Sequence, residues 1–437
     1  MKTYTFPNGF RILHEKPKTD IPLTSISCFV KLGSIYEPEK IKGASHFIEH
    51  MCFKGTKKMP HSSFISHHYD GIGAYFNAYT EKEYTCYQIK CGEERMKDTL
   101  HILGDMMMNS IFKKEEFTKE YKVIVEENIK SEDNMEILIV ERIESLLYSG
   151  TPYALPIDTL SYHKKPMKYE NVIQIYRHFY RPENMVLSIV SHIPFSTIKS
   201  IVESSFFMIK RDVPTRIPES FVYIEPQPDV KCNIYKKPNL TATYLHISFR
   251  TCPYENPDRY SLYLLSQIIG GTFSSRLFSL LREENGLTYS SDSEVVFYKH
   301  SGHFSIKMIL NPQKILKNGE KKGVLPLVIG LLNDLYKNGV KKEEIDLIKG
   351  YIKGQFTIKM EDSLHQTEYN GKNVLLYESE FTPYTKIFEK HYKSIKKVGI
   401  DAVIKKYLKK SNMSVCVLGT AVPSLDVLTL HCSEYIG

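Results

Sequence analysis

The run Gly43-Ala44-Ser45-His46-Phe47-Ile48-Glu49-His50-Met51 decides how the rest of this 437-residue chain is read. Residues four apart lie on one face of a helix, so the imidazoles of His46 and His50 reach a common point. Glu49, one step before His50, is close enough to touch a water at that point without binding an ion itself. Two surface histidines on an ordinary helix would give the same five letters. The motif therefore needs a third ligand from elsewhere, since a catalytic zinc site keeps three protein ligands and one open position.

The segment 114–130 supplies a carboxylate on a helical pattern. Glu120 and Glu127 are seven residues apart, two turns, and share a face with Val123 and Ile124 between them. Apolar neighbours predict that this face is buried, and a buried carboxylate requires a cation or a metal to offset its desolvation. Glu126 points about 100° away and reads as a solvated acid. The order His-x-x-Glu-His is the inverse of the commoner HExxH arrangement and is the inverted zinc-hydrolase pattern.

Outward from the motif the chain reads as a duplication. Prolines 214, 218, 226 and 228 crowd a polar stretch, which predicts a linker over 213–230 between domains 1–212 and 231–437. Each half opens with a β-like run, 25–32 and 243–249, followed by a helix-like segment, 43–54 and 258–269. Each half also nears its end with a similar phrase, Tyr180-Arg181-Pro182-Glu183-Asn184-Met185 and Leu408-Lys409-Lys410-Ser411-Asn412-Met413, leading into a short apolar strand. Matches in the same order favour a duplicated α+β domain. In 258–269 there is no histidine and no glutamate, so one metal site is expected in the chain.

Composition narrows the function classes. The formal charge of +8 is spread over short lysine pairs such as Lys57-Lys58 and Lys164-Lys165, a solvated surface and not a nucleic-acid arm. The eight cysteines sit mostly in apolar, strand-like runs such as those around Cys28 and Cys416 and form no CxxC pair, so reduced core thiols are expected. The first residues lack the apolar region of a secretory signal and the amphipathic pattern of an organelle presequence. No run of about 18 apolar residues predicts a membrane span. The expected location is cytoplasmic.

The chain resembles the insulinase, pitrilysin and mitochondrial processing peptidase family over 43–56 (GASHFIEHMCFKGT), 77–87 (NAYTEKEYTCY), 120–127 (EYKVIVEE) and 270–290 (GGTFSSRLFSLLREENGLTYS). The resemblance implies two homologous α+β domains, each a mostly antiparallel sheet with helices packed on one face. It implies one zinc ion (Zn2+) per chain held by His46, His50 and Glu127, the last falling 76 residues after His50 as in the family. It further implies Glu49 as general base, Glu120 as a supporting acid, and Asn77, Ala78, Tyr79 and Thr80 on an edge strand that holds extended peptide. Arg282 and Tyr289 match the family's substrate-gripping pair. The implied partners are a peptide or unfolded polypeptide substrate and a second chain, in a homodimer or a heterodimer. Two other readings stay open: a scaffold subunit without catalysis, and the catalytic half of a heterodimeric processing peptidase.

Overall fold

The computed structural model describes residues 1–38, 41–157, 167–208, 227–377 and 381–437. The proline-rich linker stretch, 213–230, lies outside the described residues as far as 226. The described residues form two large sheets and a small hairpin.

The first sheet comprises β1 (Lys2–Thr5), β2 (Arg11–Glu15), β3 (Leu23–Val30), β4 (Tyr75–Thr80), β5 (Thr85–Gly92) and β6 (Met185–Val190), in the order β1-β2-β6-β3-β5-β4. The second comprises β7 (Lys231–Lys236), β8 (Thr243–Thr251), β9 (Thr288–Phe297), β10 (Gly302–Leu310) and β13 (Met413–Gly419), in the order β7-β13-β8-β10-β9; β11 (Lys317–Asn318) and β12 (Lys321–Lys322) form the hairpin. Both sheets are antiparallel except for one parallel pair each, β2 with β6 and β7 with β13. From β2 onward the first order matches the second strand for strand, with β1 an addition at the edge of the first sheet, so the fold is α+β and duplicated. The repeated phrase has a shared cause. Asn184 donates its side-chain amide to the Phe179 carbonyl at 2.9 Å, and Asn412 does the same to Tyr407 at 2.9 Å. In each copy that bond closes the end of a helix and turns the chain into the corresponding strand, β6 in the first sheet and β13 in the second.

The helices are α1 (Ala44–Cys52), α2 (Ser62–Gly71), α3 (Met96–Asn109), α4 (Lys114–Glu132), α5 (Met135–Leu147), α6 (Tyr169–Phe179), α7 (Phe195–Glu203), α8 (Asp258–Ile269), α9 (Val324–Asn338), α10 (Lys342–Lys359), α11 (Ser363–Leu376), α12 (Lys397–Tyr407) and α13 (Leu425–Ser433). Along β3 the side chains alternate between faces. Ile26, Cys28 and Val30 join a core with Phe47, Ile48, Leu100, Leu103 and Met107. Burial of that apolar area is what holds α1 and α3 to the sheet, at about 25 cal/mol per Å² removed from water.

Packing groups the chain into two units that differ from the contiguous division 1–212 and 231–437. One contains Met1–Lys130, Pro156–Phe221 and Gln355–Lys386, the other Ser131–Leu155, Val222–Gly354 and Ile387–Gly437. The reason lies in the second face of each sheet. In the first unit α11 covers that face, with Ser363 bonded to Ser25 and Thr367 to Ser27 at 2.7 Å each. Gly371 is required there, because a Cβ would stand 2.3 Å from the Phe29 ring. In the second unit α5 lies against β8 and β13, burying Leu138, Ile139, Ile143 and Leu147. These covering faces are rich in serine and histidine, so apolar periodicity does not announce them.

The second unit keeps a neutral histidine inside. His246 on β8 is 5% exposed, and its Nδ1 has no hydrogen-bond partner among the described residues. Burial, then the charges of Lys307 and His303, push its pKa down to about 3. An unfolded histidine takes up a proton below about 6.5. The contribution of His246 is therefore full above pH 6.5 and is lost as pH falls from there toward 3, at roughly 1.4 kcal/mol per pH unit. We predict that urea denaturation at pH 7 and pH 5 shows a smaller loss of stability for His246→Gln than for the parent chain. Equal losses would show that another group takes up the proton.

Candidate metal centre

Phe47, wholly buried, sets the distance between the two elements that meet at the site. Its ring centroid lies 4.6 Å from that of Phe117 and 6.2 Å from that of Tyr121, both on α4. This contact brings α4 alongside α1, and the polar residues flanking it converge. One ligand atom each from His46, His50 and Glu127 falls within 4.8 Å of the others. The two Nε2 atoms are 3.1 Å apart, and His50 Nε2 is 3.6 Å from Glu127 Oε2. Two nitrogens bound to a tetrahedral zinc at about 2.0–2.1 Å lie roughly 3.3 Å apart, so the donor set fits that ion in both chemistry and spacing.

His50 is oriented from behind. Its Nδ1 lies 2.8 Å from Glu120 Oε1, which leaves Nε2 facing His46 and Glu127. The second oxygen of Glu120 is 2.7 Å from Lys54 Nζ. Burial would raise the Glu120 carboxyl, but the bonds from His50 and Lys54 and the lysine charge outweigh it and hold the group below the ordinary glutamate value. This is the ligand–carboxylate arrangement that fixes imidazole orientation at metal sites. Lys54 had no role in the sequence reading, although it stands four residues after His50 on the same side, a spacing that could have marked it.

Glu49 is 6% exposed, and its Oε2 accepts a hydrogen bond from the Thr80 hydroxyl at 2.6 Å. Thr80 thus serves the carboxylate beside it as well as the strand on which it lies. That strand, β4, pairs among the described residues only with β5 and forms the edge of the first sheet, carrying Asn77, Ala78 and Tyr79. The Tyr79 hydroxyl is spoken for, donating to Glu368 on α11 at 2.7 Å. A cavity of about 310 Å³ opens between Glu49, His50 and Glu120 on one side and Asn77 and Ala78 on the other, with Phe53 and Phe76 in its wall.

The expected burial of the α4 face holds for part of it. Ile124 is fully buried and Glu120 5% exposed, but Val123 is 43% exposed and the Glu127 side chain 44%. Val123 lies about 60° from Glu120 around the helix, on the side away from Ile124, so it faces solvent. In the second unit Arg282 belongs to a π-helical turn, Phe278–Glu283, and Gly286 follows with φ of 58° before β9 begins. Arg282 Nη1 donates to the Tyr289 carbonyl at 3.2 Å, and the Tyr289 ring is 62% exposed. No helix among the described residues is long and apolar enough to cross a membrane, and none of the eight cysteines is in a disulfide among the described residues.

A duplicated α+β fold with two histidines and a distal glutamate at one point defines a class: inverted-motif metallohydrolase-like proteins. The comparisons narrow it. The family described as Insulinase (Peptidase family M16) matches residues 12–159, and the Peptidase M16 inactive domain matches residues 166–351. An uncharacterized zinc protease of Rickettsia felis is 32% identical over 385 residues, covering 87% of this chain and 89% of its own length. The uncharacterized zinc protease YmxG of Bacillus subtilis is 28% identical, covering 86% of this chain and 88% of its own length. The crystal structure of a protease from Helicobacter pylori superposes with a TM-score of 0.86 at 20% identity, over 95% of this chain and 98% of that one. The chain belongs to the M16 (insulinase) peptidase family. The chain is also similar to subunit 1 of the mitochondrial cytochrome b-c1 complex of Rattus norvegicus, 25% identical over 60% of this chain and 54% of that one.

We predict that Glu120→Gln, which keeps the shape but loses the charge, weakens zinc binding about 10- to 100-fold. Competition against a chromophoric chelator measures this. Unchanged affinity would mean that Glu120 does not orient His50 for a metal.

Proposed function

We propose that this chain is a zinc-dependent endopeptidase that cleaves peptides or unfolded segments bound in extended form. The observation that carries the reading is the convergence of His46, His50 and Glu127 beside a buried, hydrogen-bonded Glu49, next to a free sheet edge. When bound, zinc supplies Lewis-acid chemistry, polarising a carbonyl and making water acidic enough to lose a proton near neutral pH. Glu49 takes that proton and returns it to the leaving amine. The exposed edge of β4 offers main-chain N–H and C=O groups to an extended substrate, and the neighbouring cavity takes a side chain. Arg282 and Tyr289 are carried here as substrate-binding residues, on the likeness of the 270–290 phrase to the family.

A second reading follows from the relative in the cytochrome b-c1 complex: a subunit that keeps the fold and does no chemistry. A complete ligand set with an oriented histidine favours the peptidase. Pairing with a second chain, identical or related, belongs to the same proposal.

Three outcomes check it. Glu49→Gln keeps zinc and peptide binding and lowers turnover by at least 10²-fold, read by metal analysis and cleavage of a mixed peptide library under mass spectrometry. Exhaustive chelation abolishes cleavage in the parent chain and added zinc restores it; cleavage that survives chelation would sink the metal mechanism. Arg282→Ala and Tyr289→Phe leave zinc content unchanged and lower kcat more than they raise KM, on the order of 10²-fold for each lost donor. Wild-type kinetics in both variants would remove these two residues from the site.

A further inference from the structure

The helix that carries His46, Glu49 and His50 begins without a cap of its own. Gly43 occupies the N-cap of α1 in the left-handed region, φ 85°, and has no side chain to accept the first N–H groups. A helix leaves its first four N–H groups without intrahelical partners, and Ser, Thr, Asp or Asn normally serves them at that position. Here the acceptor comes from six residues upstream. Glu37 Oε2 accepts the Gly43 N–H at 2.7 Å and Oε1 accepts the Ser45 N–H at 2.6 Å.

Glu37 is itself held firmly. It is 5% exposed and follows a single 3₁₀ turn, Ser34–Tyr36. That turn is tied to the bend between β4 and β5, where the Ile35 N–H donates to the Lys82 carbonyl at 3.0 Å. Gly33, just before it, packs so closely that a Cβ would lie 2.3 Å from the Glu81 carbonyl oxygen. The bend belongs to the same hairpin as Thr80, the partner of Glu49. A continuous set of contacts therefore runs from the edge strand through Glu37 to the first turn of α1.

We propose that Glu37 is a positioning residue of the metal centre: its two bonds to α1 fix the axial register and rotation of that helix, and so the joint aim of His46, Glu49 and His50. This rests on the reading of the site as a zinc centre. The helix has nine residues, two and a half turns, so a shift at its N-terminus reaches both histidines with little damping. His46 stands next to Ser45, and an error of 1 Å in such a constellation is functionally large. The carboxylate also faces the positive end of the helix dipole, which favours its place there. Burial pushes the Glu37 carboxyl up to about 7, with the bonds from Ser45 and Gly43 and the charge of Lys42 pulling the other way. A carboxylate buried at such cost is retained for the bonds it accepts.

The test compares Glu37→Gln with Glu93→Gln. Glu93 is a control in the same unit, since it also accepts a backbone bond, from His192 N–H at 2.6 Å, but it does so away from α1. In Glu37→Gln an amide N–H₂ faces one of the two backbone donors, so one bond is lost without a change in size. Zinc affinity is measured by chelator competition, the visible spectrum is recorded with Co2+ in place of zinc, and Tm is followed for both proteins. We expect Glu37→Gln to bind zinc at least tenfold more weakly with an altered cobalt spectrum, and Glu93→Gln to keep both properties whatever its Tm. Wild-type affinity and spectrum in Glu37→Gln would overturn the proposal, as would an equal loss in Glu93→Gln. Failure of the parent chain to bind zinc would instead overturn the zinc reading itself. If Glu37→Gln does not fold, hydrogen exchange of the metal-free parent decides: slow exchange in the peptide spanning 43–47 is expected, and rapid exchange there refutes the cap.

Discussion

The contact between Phe47 and Phe117 is the point on which the site turns. A metal centre assembled from two separate helices is only as well defined as the distance between them. Here a wholly buried ring on α1, packed against aromatic rings of α4, sets that distance. The contact is apolar and non-directional, so it fixes spacing but not the aim of the ligands. Aim is supplied by polar bonds around it: Glu120 on His50, Thr80 on Glu49, and Lys54 on Glu120. Each of these joins two different elements, and each costs desolvation that only a fully satisfied network offsets. The division of labour explains why the site combines one large hydrophobic contact with several short charged ones.

Much of the fold was legible because duplication leaves traces at two levels. The phrases ending in Asn184-Met185 and Asn412-Met413 are alike because the same amide closes the same turn. The strand orders then repeat because each copy builds from the same sequence of runs. The convergence of His46, His50 and Glu127 was legible for a geometric reason, since four and seven residues are helical repeats. Other features left no such trace. Val123 seemed to belong to a buried face, but helical spacing alone does not say which flank of a stripe meets its neighbour. The bond from Thr80 to Glu49 joins residues 31 apart, and neither one's local sequence signals the other. The helices α5 and α11 could not be assigned to a sheet, because the faces they cover display serine, threonine and histidine where a core face would be apolar.

The two copies have diverged where chemistry is concentrated and not where packing is. In the first, α1 carries His46, Glu49 and His50; in the second, α8 at the corresponding place buries Leu262, Leu264, Leu265 and Ile268 instead. The second sheet still holds unusual polar groups, among them neutral His246 and the pair Tyr148–His303 at 2.8 Å. Tyr148 is the C-cap residue of the covering helix α5. A duplicated scaffold thus keeps one architecture while assigning catalysis-like geometry to one copy and a buried polar lining to the other.

The crossed membership of α5 and α11 bears on how the protein is made. During synthesis the first sheet can assemble once β6 has emerged, yet the strip formed by Ser25, Ser27 and Phe29 stays open until residues 363–376 follow. The unit that contains His46, His50 and Glu127 therefore cannot reach its final packing while the ribosome is still midway through the chain. Contacts separated by some 340 residues close late and slowly, which raises the exposure of a nascent, half-covered sheet to chaperones or to mispairing. A chain severed at its midpoint would leave neither portion as an autonomous folding unit. Its maturation is a single event that waits for the last quarter of the polypeptide.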